Sequence, residues 1–312
     1  MKKTVLLLLA MLAGQALGFF PTCECKAIDS HFDSDLEDSI AARIRTVLVE
    51  NGCNAAQVIV VETATGKIKA KVAMRRMWDD HIVPFWDAFN EENTSMLTGP
   101  AYLALMESKK VTPEDTIDTE QGIYGEVRDH NWRRGGYGVV SMERGFACHS
   151  YVALQKAIEK AYGNNIKDYE QLIDIYLNGE PDKLMNLLTF YNAVANGGRM
   201  MKLVTEGSPV IINEQIASER AIAMLRRGME KTISEGILRK AKSELVDIAC
   251  NGRSFAMNGR TNRMELCAFF PAQQPKYTVM VTVEKEGLPT SASTFCGMLL
   301  NNVIKWSFTL LR

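Results

Sequence analysis

The sequence predicts an α+β fold in which a mixed or antiparallel sheet is flanked by helices and joined to a helical subdomain. Three observations predict it. A strand hairpin stands early, in AQVIVVETATGKIKAKVAM at residues 56–74. β-rich runs return near the end, in MELCAFFPA and KYTVMVTVEK. The stretch between them is dominated by apolar residues at helical spacing, so one sheet must be assembled from both chain ends and covered by the helices. With 312 residues, 46% hydrophobic and 23% charged, the chain can bury a large core.

The elements follow in order. Residues 32–50 alternate acids and apolar residues at helical spacing and stop at Asn51-Gly52, a plausible C-cap. The hairpin turns at Ala64-Thr65-Gly66-Lys67. An amphipathic helix is expected over 95–110, running into the Thr112-Pro113-Glu114-Asp115 turn. GIYGEVRDHNWRRGGYG at 122–138 is too polar and glycine-rich for a regular element. Helical patterns occupy 142–162, 183–196 and roughly 217–236, the second ending at Asn196-Gly197-Gly198. Strands are expected in RSFAMNGRT, MELCAFFPA and KYTVMVTVEK, before a last apolar helix, FCGMLLNNVIKWSFTLL. No internal repeat or low-complexity linker interrupts this order.

The N-terminus carries a further expectation. Met1-Lys2-Lys3 is a positive start, Val5 to Leu12 is an apolar run, and Ala16-Leu17-Gly18 offers small residues for cleavage before Phe19. This is the pattern of a cleaved signal peptide over 1–18. The apolar stretch ends near Phe20, short of the roughly 20 residues a spanning helix needs. The sequence thus divides into a signal peptide, an N-terminal segment with a helix over 19–54, and a main domain over 55–312. Lipid anchoring through Cys23 or Cys25 lacks the small residues that such processing requires.

Composition narrows the function classes. The formal net charge is −1, with no basic stripe interleaved with aromatics, which argues against nucleic acid as a partner. The four histidines are dispersed with no metal-ligand spacing, so no metal or other cofactor is expected. Seven cysteines are scattered; Cys148, Cys250, Cys267 and Cys296 lie in apolar contexts that suit small buried hydrophobes.

Several segments, taken together, resemble one family. VIVVETATGKIKAKV looks like a first hairpin with its Thr-Gly-Lys-Ile turn, and SMLTGPAYLALMESKKVTPEDTIDT like a nucleophile helix and the segment after it. VRDHNW, LLTFYNAVANGGRMMK and FFPAQQPKYTVMVTVEK continue the match in order. From about Ala55 to the end, the chain resembles the transpeptidase domain of penicillin-binding proteins, kin to the serine β-lactamases. That resemblance implies a D,D-peptidase-like scaffold, with peptidoglycan stem peptides or β-lactams as ligands and cell-envelope proteins as possible partners.

The family's chemistry uses three clusters, and each is altered here. A Ser-x-x-Lys turn sets nucleophile and lysine on one helical face, since i and i+3 are neighbours. Here it aligns as Ser95-Met96-Leu97-Thr98, with Thr98 in place of the lysine. Threonine neither accepts a proton near neutral pH nor supplies positive charge. The second cluster, Ser-x-Asn, aligns as His149-Ser150-Tyr151. His149 is either a base for Ser95 or a packed histidine in a remodelled cleft. The third, Lys-Thr-Gly, is aligned with Arg260-Thr261-Asn262, where Arg260 either grips a carboxylate or is a solvated strand charge. Asn262 would crowd the groove that a glycine leaves open.

Two function classes follow from the resemblance. One is an exported, catalytically inactive relative that binds peptidoglycan stems or an envelope partner. The alternative is an active serine D,D-transpeptidase or carboxypeptidase acylated at Ser95 with an atypical base. Loss of a general base alone removes on the order of 10² to 10⁴ in rate, so the inactive reading is the expectation.

Overall fold

A computed structural model describes residues 32–85, 96–177 and 184–309. Its first helix, α1 (Ser34–Glu50), starts because the Asp33 carboxylate accepts from the Leu36 amide and stops at Asn51, whose N–H returns to the Val47 carbonyl. Strands β1 (Ala55–Glu62) and β2 (Ile68–Arg76) form the expected hairpin. Gly66 in its turn has φ +73°, and an added Cβ would lie 2.6 Å from the Lys202 carbonyl. Only glycine meets both demands there. A short edge strand, β3 (Ile82–Pro84), follows.

The middle of the chain is helical, as its spacing predicts. Helices α2 (Thr98–Ser108), α3 (Met142–Ala147), α4 (Tyr151–Tyr162), α5 (Ile166–Tyr176), α6 (Leu184–Ala195) and α7 (Glu219–Ser234) are joined by short strand pairs. These pairs are β4 (Thr116–Asp118) with β7 (Val139–Ser141), β5 (Ile123–Tyr124) with β6 (Val127–Arg128), and β8 (Met200–Met201) with β9 (Ile211–Asn213). The polar loop over 122–138 thus holds more order than its composition suggests. The single helix expected over 142–162 is two helices, because His149 takes φ +53° and the chain restarts at Ser150, whose hydroxyl caps the Ala153 amide. Helix α5, which lies outside the helical patterns expected from the sequence, packs Tyr169, Leu172 and Ile173 against the core.

Strands β10 (Ala249–Asn258), β11 (Thr261–Phe270) and β12 (Tyr277–Glu286) complete a six-stranded sheet in the order β10-β11-β12-β1-β2-β3, with antiparallel neighbours. The last helix, α8 (Ala292–Thr309), lies on the face that α1 also covers. Alternation along each strand sends Met264, Leu266 and Ala268 to that face and Cys267 and Phe269 to the helical one. All cysteines among the described residues are buried and free, and burial raises the thiol pKa of each. No described helix is long and apolar enough to cross a membrane.

One charged pair sits inside this sheet. Arg263 is 1% exposed, and its Nε and Nη2 donate to Glu284 Oε1 at 3.1 and 2.8 Å across neighbouring strands. Without Arg263 the buried Glu284 carboxylate would be left with the partly exposed Arg75, 3.9 Å away, and would lose most of its compensation. Arg263→Ala is therefore expected to lower unfolding stability by about 3–5 kcal/mol, read as a shift in the urea midpoint at unchanged slope.

Candidate functional site

Ser95, the candidate nucleophile, lies outside the described residues. Thr98 opens α2 and is buried, and its Oγ1 accepts from Asn251 Nδ2 at 3.0 Å. Helix α2 has no side-chain cap. Its start is held instead by Tyr191 of α6, whose hydroxyl donates to the Met96 carbonyl at 2.7 Å. A Cβ on Gly99 would lie 2.3 Å from that hydroxyl, so glycine at this point lets α6 close on α2.

His149 reaches the same place from the α3–α4 junction. Its Nε2 lies 2.5 Å from Asn251 Oδ1, which also accepts the Gly252 amide at 3.0 Å. Asn251 Nδ2 donates onward to Tyr191 Oη at 2.6 Å. With Oδ1 as acceptor, His149 carries its proton on Nε2 and Nδ1 is the lone-pair nitrogen. Burial is the main cause that lowers the His149 pKa to about 4 from an ordinary 6.5; the Asn251 hydrogen bond opposes the shift, and the Arg253 and His130 charges reinforce it. The imidazole is neutral at physiological pH and a weak base.

The other two residues of the second cluster have different work. Ser150 Oγ donates to buried Asp129 at 2.8 Å, and Asp129 Oδ1 accepts the Val152 amide at 3.1 Å. Ser150 is therefore part of the start of α4. Tyr151 accepts a hydrogen bond from Arg253 Nη1, and the Arg253 guanidinium lies 5.4 Å from the Tyr151 ring centre and 4.9 Å from that of Phe255.

The structure does not bring Arg260, Thr261 and Asn262 to this place. Arg260 is exposed in the β10–β11 hairpin turn after Gly259, and Thr261 and Asn262 pair with Glu286 and Lys285. The strand residues on the side of Thr98 and His149 are Asn251 and Arg253, with Gly252 between them turned to the opposite face. The cause of the misplacement is the length of β10, which begins at Ala249 rather than near Arg253 and so carries Asn251 alongside α2. The sequence offered one signal for it, a lone amide beside glycine in the otherwise apolar IACNG.

The site is therefore a closed set of neutral groups with one cation beside it. Thr98, Tyr191 and His149 meet on Asn251, and Arg253 stacks at the rim. A pocket of about 310 Å³ adjoins them, walled among others by His149, Tyr151, Arg253, Ser254 and Ser291. Two residues that line it each carry a buried polar atom without a hydrogen-bond partner, His149 Nδ1 and Arg253 Nε. Among the described residues, no group of histidines, cysteines and carboxylates could hold a metal ion.

A buried neutral histidine makes stability depend on pH with a definite sign. Above pH 6.5 both folded and unfolded chains hold it neutral. As pH falls toward 4 the unfolded chain takes the proton first, and stability is lost. Over that window the protein should lose on the order of 3 kcal/mol more than a His149→Asn variant, as chemical denaturation at stepped pH would show. Asparagine tolerates the left-handed backbone at this position. Asn251→Ala strands several buried groups at once and should cost at least about 1–3 kcal/mol at neutral pH, measured the same way.

No family model matches the chain, and no curated protein matches it in sequence. Solved structures do match it in shape. A peptidoglycan glycosyltransferase from Burkholderia ambifaria superimposes with a TM-score of 0.72 at 16% identity, over 90% of this chain and 97% of that one. The TP domain of penicillin-binding protein 3 from Burkholderia pseudomallei gives 0.72 at 13% identity, over 92% and 97%. Penicillin-binding protein 2X from Streptococcus thermophilus gives 0.72 at 15% identity; the match covers 91% of this chain and 52% of that one. At these identities the likeness establishes the fold, and the fold is that of a penicillin-binding-protein transpeptidase domain.

Proposed function

We propose that this chain is an exported, catalytically silent protein of transpeptidase fold that works in peptidoglycan biology by binding the peptide stem without bond cleavage. The observation that carries the reading is a pocket of about 310 Å³ whose lining residues His149 and Arg253 each carry one buried polar atom without a hydrogen-bond partner. Arg253 Nε is a donor, and neutral His149 Nδ1 is an acceptor. Buried polar groups without partners are costly and call for a ligand or water that completes them. A donor and an acceptor carried by two residues that line one pocket suit an amide, whose carbonyl accepts from an arginine while its N–H donates to an imidazole. A peptide offers such groups repeatedly, and peptidoglycan stems are the peptides that the scaffold suggests.

The reading of inactivity rests on what surrounds Thr98. Activation of a serine needs a nearby base or a charge that lowers its pKa. Thr98 and Asn251 supply neither, and His149 spends its Nε2 proton on Asn251 while its pKa lies near 4. The signal-peptide pattern at residues 1–18 supports export to the bacterial envelope, where such stems are found.

Two measurements test this. A stem peptide ending in D-alanyl-D-alanine should bind by calorimetry, and Arg253→Ala should weaken it on the order of tenfold. Fluorescent penicillin should leave no covalent adduct on the mature protein. An adduct abolished by Ser95→Ala would overturn the silent reading. Absence of any stem-peptide binding would overturn the ligand and leave a scaffold that docks an envelope protein.

A further inference from the structure

A second polar groove lies between α1, α8 and the 3₁₀ turn Arg239–Ala241. It encloses about 450 Å³, and three cations converge on it from three elements: Arg43 from α1, Lys240 from the turn and Lys305 from α8. Asn301 and Asn302 also line it, and no carboxylate does. Among the described residues, none of the three cations has an ion-pair partner. Lys240 also borders a neighbouring cavity, lined by Arg144 and Arg239, which lies between this groove and the peptide pocket. The single acid there, Glu235, is already held by Lys231 and lies 4.0 Å from Arg144.

This concentration is not a by-product of a basic chain. Basic and acidic residues number 36 and 37 overall, so the groove is a local excess in a balanced sequence. Folding brings the like charges together, and an anion that binds only the folded groove relieves their repulsion and stabilises the protein by mass action. The packing that builds the site is specific. Gly297 lets the turn close on α8, since a Cβ there would lie 2.9 Å from the Ala241 Cα. Asn301 Nδ2 then ties the turn down through the Ala241 carbonyl at 3.1 Å, which fixes Lys240 at the groove edge.

We propose that this groove is a binding site for a multiply charged phosphate group, separate from the peptide pocket and independent of the reading given for it. A carboxylate carries one charge and would leave most of the cluster unneutralised. A phosphate offers up to two charges and several acceptor oxygens, which suits an arginine fork and two lysine ammonium groups. The same chemistry is presented by a soluble phosphate and by an anionic lipid headgroup.

The experiment uses the mature protein with tripolyphosphate as the soluble probe. Thermal unfolding and calorimetry should show binding that weakens with added salt. The Lys240→Gln/Lys305→Gln double variant, altered only at exposed positions, should lose on the order of tenfold or more in affinity. Arg260→Gln, in the distant hairpin turn, and Arg253→Ala, in the peptide pocket, should bind as the parent does. In a second arm, vesicles of phosphatidylglycerol are compared with vesicles of phosphatidylcholine by co-sedimentation. Capture by the anionic vesicles that the double variant loses assigns a lipid headgroup; binding of tripolyphosphate alone assigns a soluble phosphate. No binding to either probe, or equal binding by the double variant, overturns the proposal.

Discussion

The side chain of Asn251 is the constraint around which the helical layer and the site are organised. An amide has two N–H groups and two acceptor positions on its oxygen. Here all four are used: Nδ2 donates to Thr98 and Tyr191, and Oδ1 accepts from His149 and from the Gly252 amide. One residue of β10 thereby holds the start of α2, the middle of α6 and the junction of α3 with α4. Each of these groups is buried, so each would be costly if left unmade. The register of β10 against β11, with Asn251 opposite Cys267, is what delivers the amide to that point.

That arrangement also decides the chemistry. Three neutral side chains, Thr98, Tyr191 and His149, meet on Asn251 and satisfy one another. The arrangement is self-consistent in energy: burial that would penalise a charged group leaves a neutral imidazole comfortable, and the low His149 pKa is the same fact in another form. Positive charge persists only at Arg253, where it stacks on Tyr151 and Phe255 rather than at the centre of the cluster. Beside it lies the pocket lined by His149, Tyr151 and Arg253.

Much of the fold could be seen in the sequence because its causes are local. The Asp33 cap, the Asn51-Gly52 stop and the Gly66 turn each depend on a few neighbouring residues, and their types announce them. The broken helix at His149 was harder. Apolar spacing runs through residues 142–162 without a proline or glycine at the break, and the chain turns there because buried Asp129, far back in the loop, holds Ser150 and Val152 in place. The loop itself looked structureless for the same reason, since the partner that orders Asp129 is remote in sequence.

The sequence by itself determined the sheet built from both chain ends and most of the helices, because apolar period and turn residues carry that information within a few residues. Only the tertiary structure decided which strand residues meet α2. The resemblance aligned Arg260-Thr261-Asn262 with the third cluster. The fold turns those residues out into a hairpin and sets Asn251 against α2 instead. Where a strand begins, and so which of its side chains meets a helix some 150 residues away, is fixed by pairing across the sheet, and no local pattern records it.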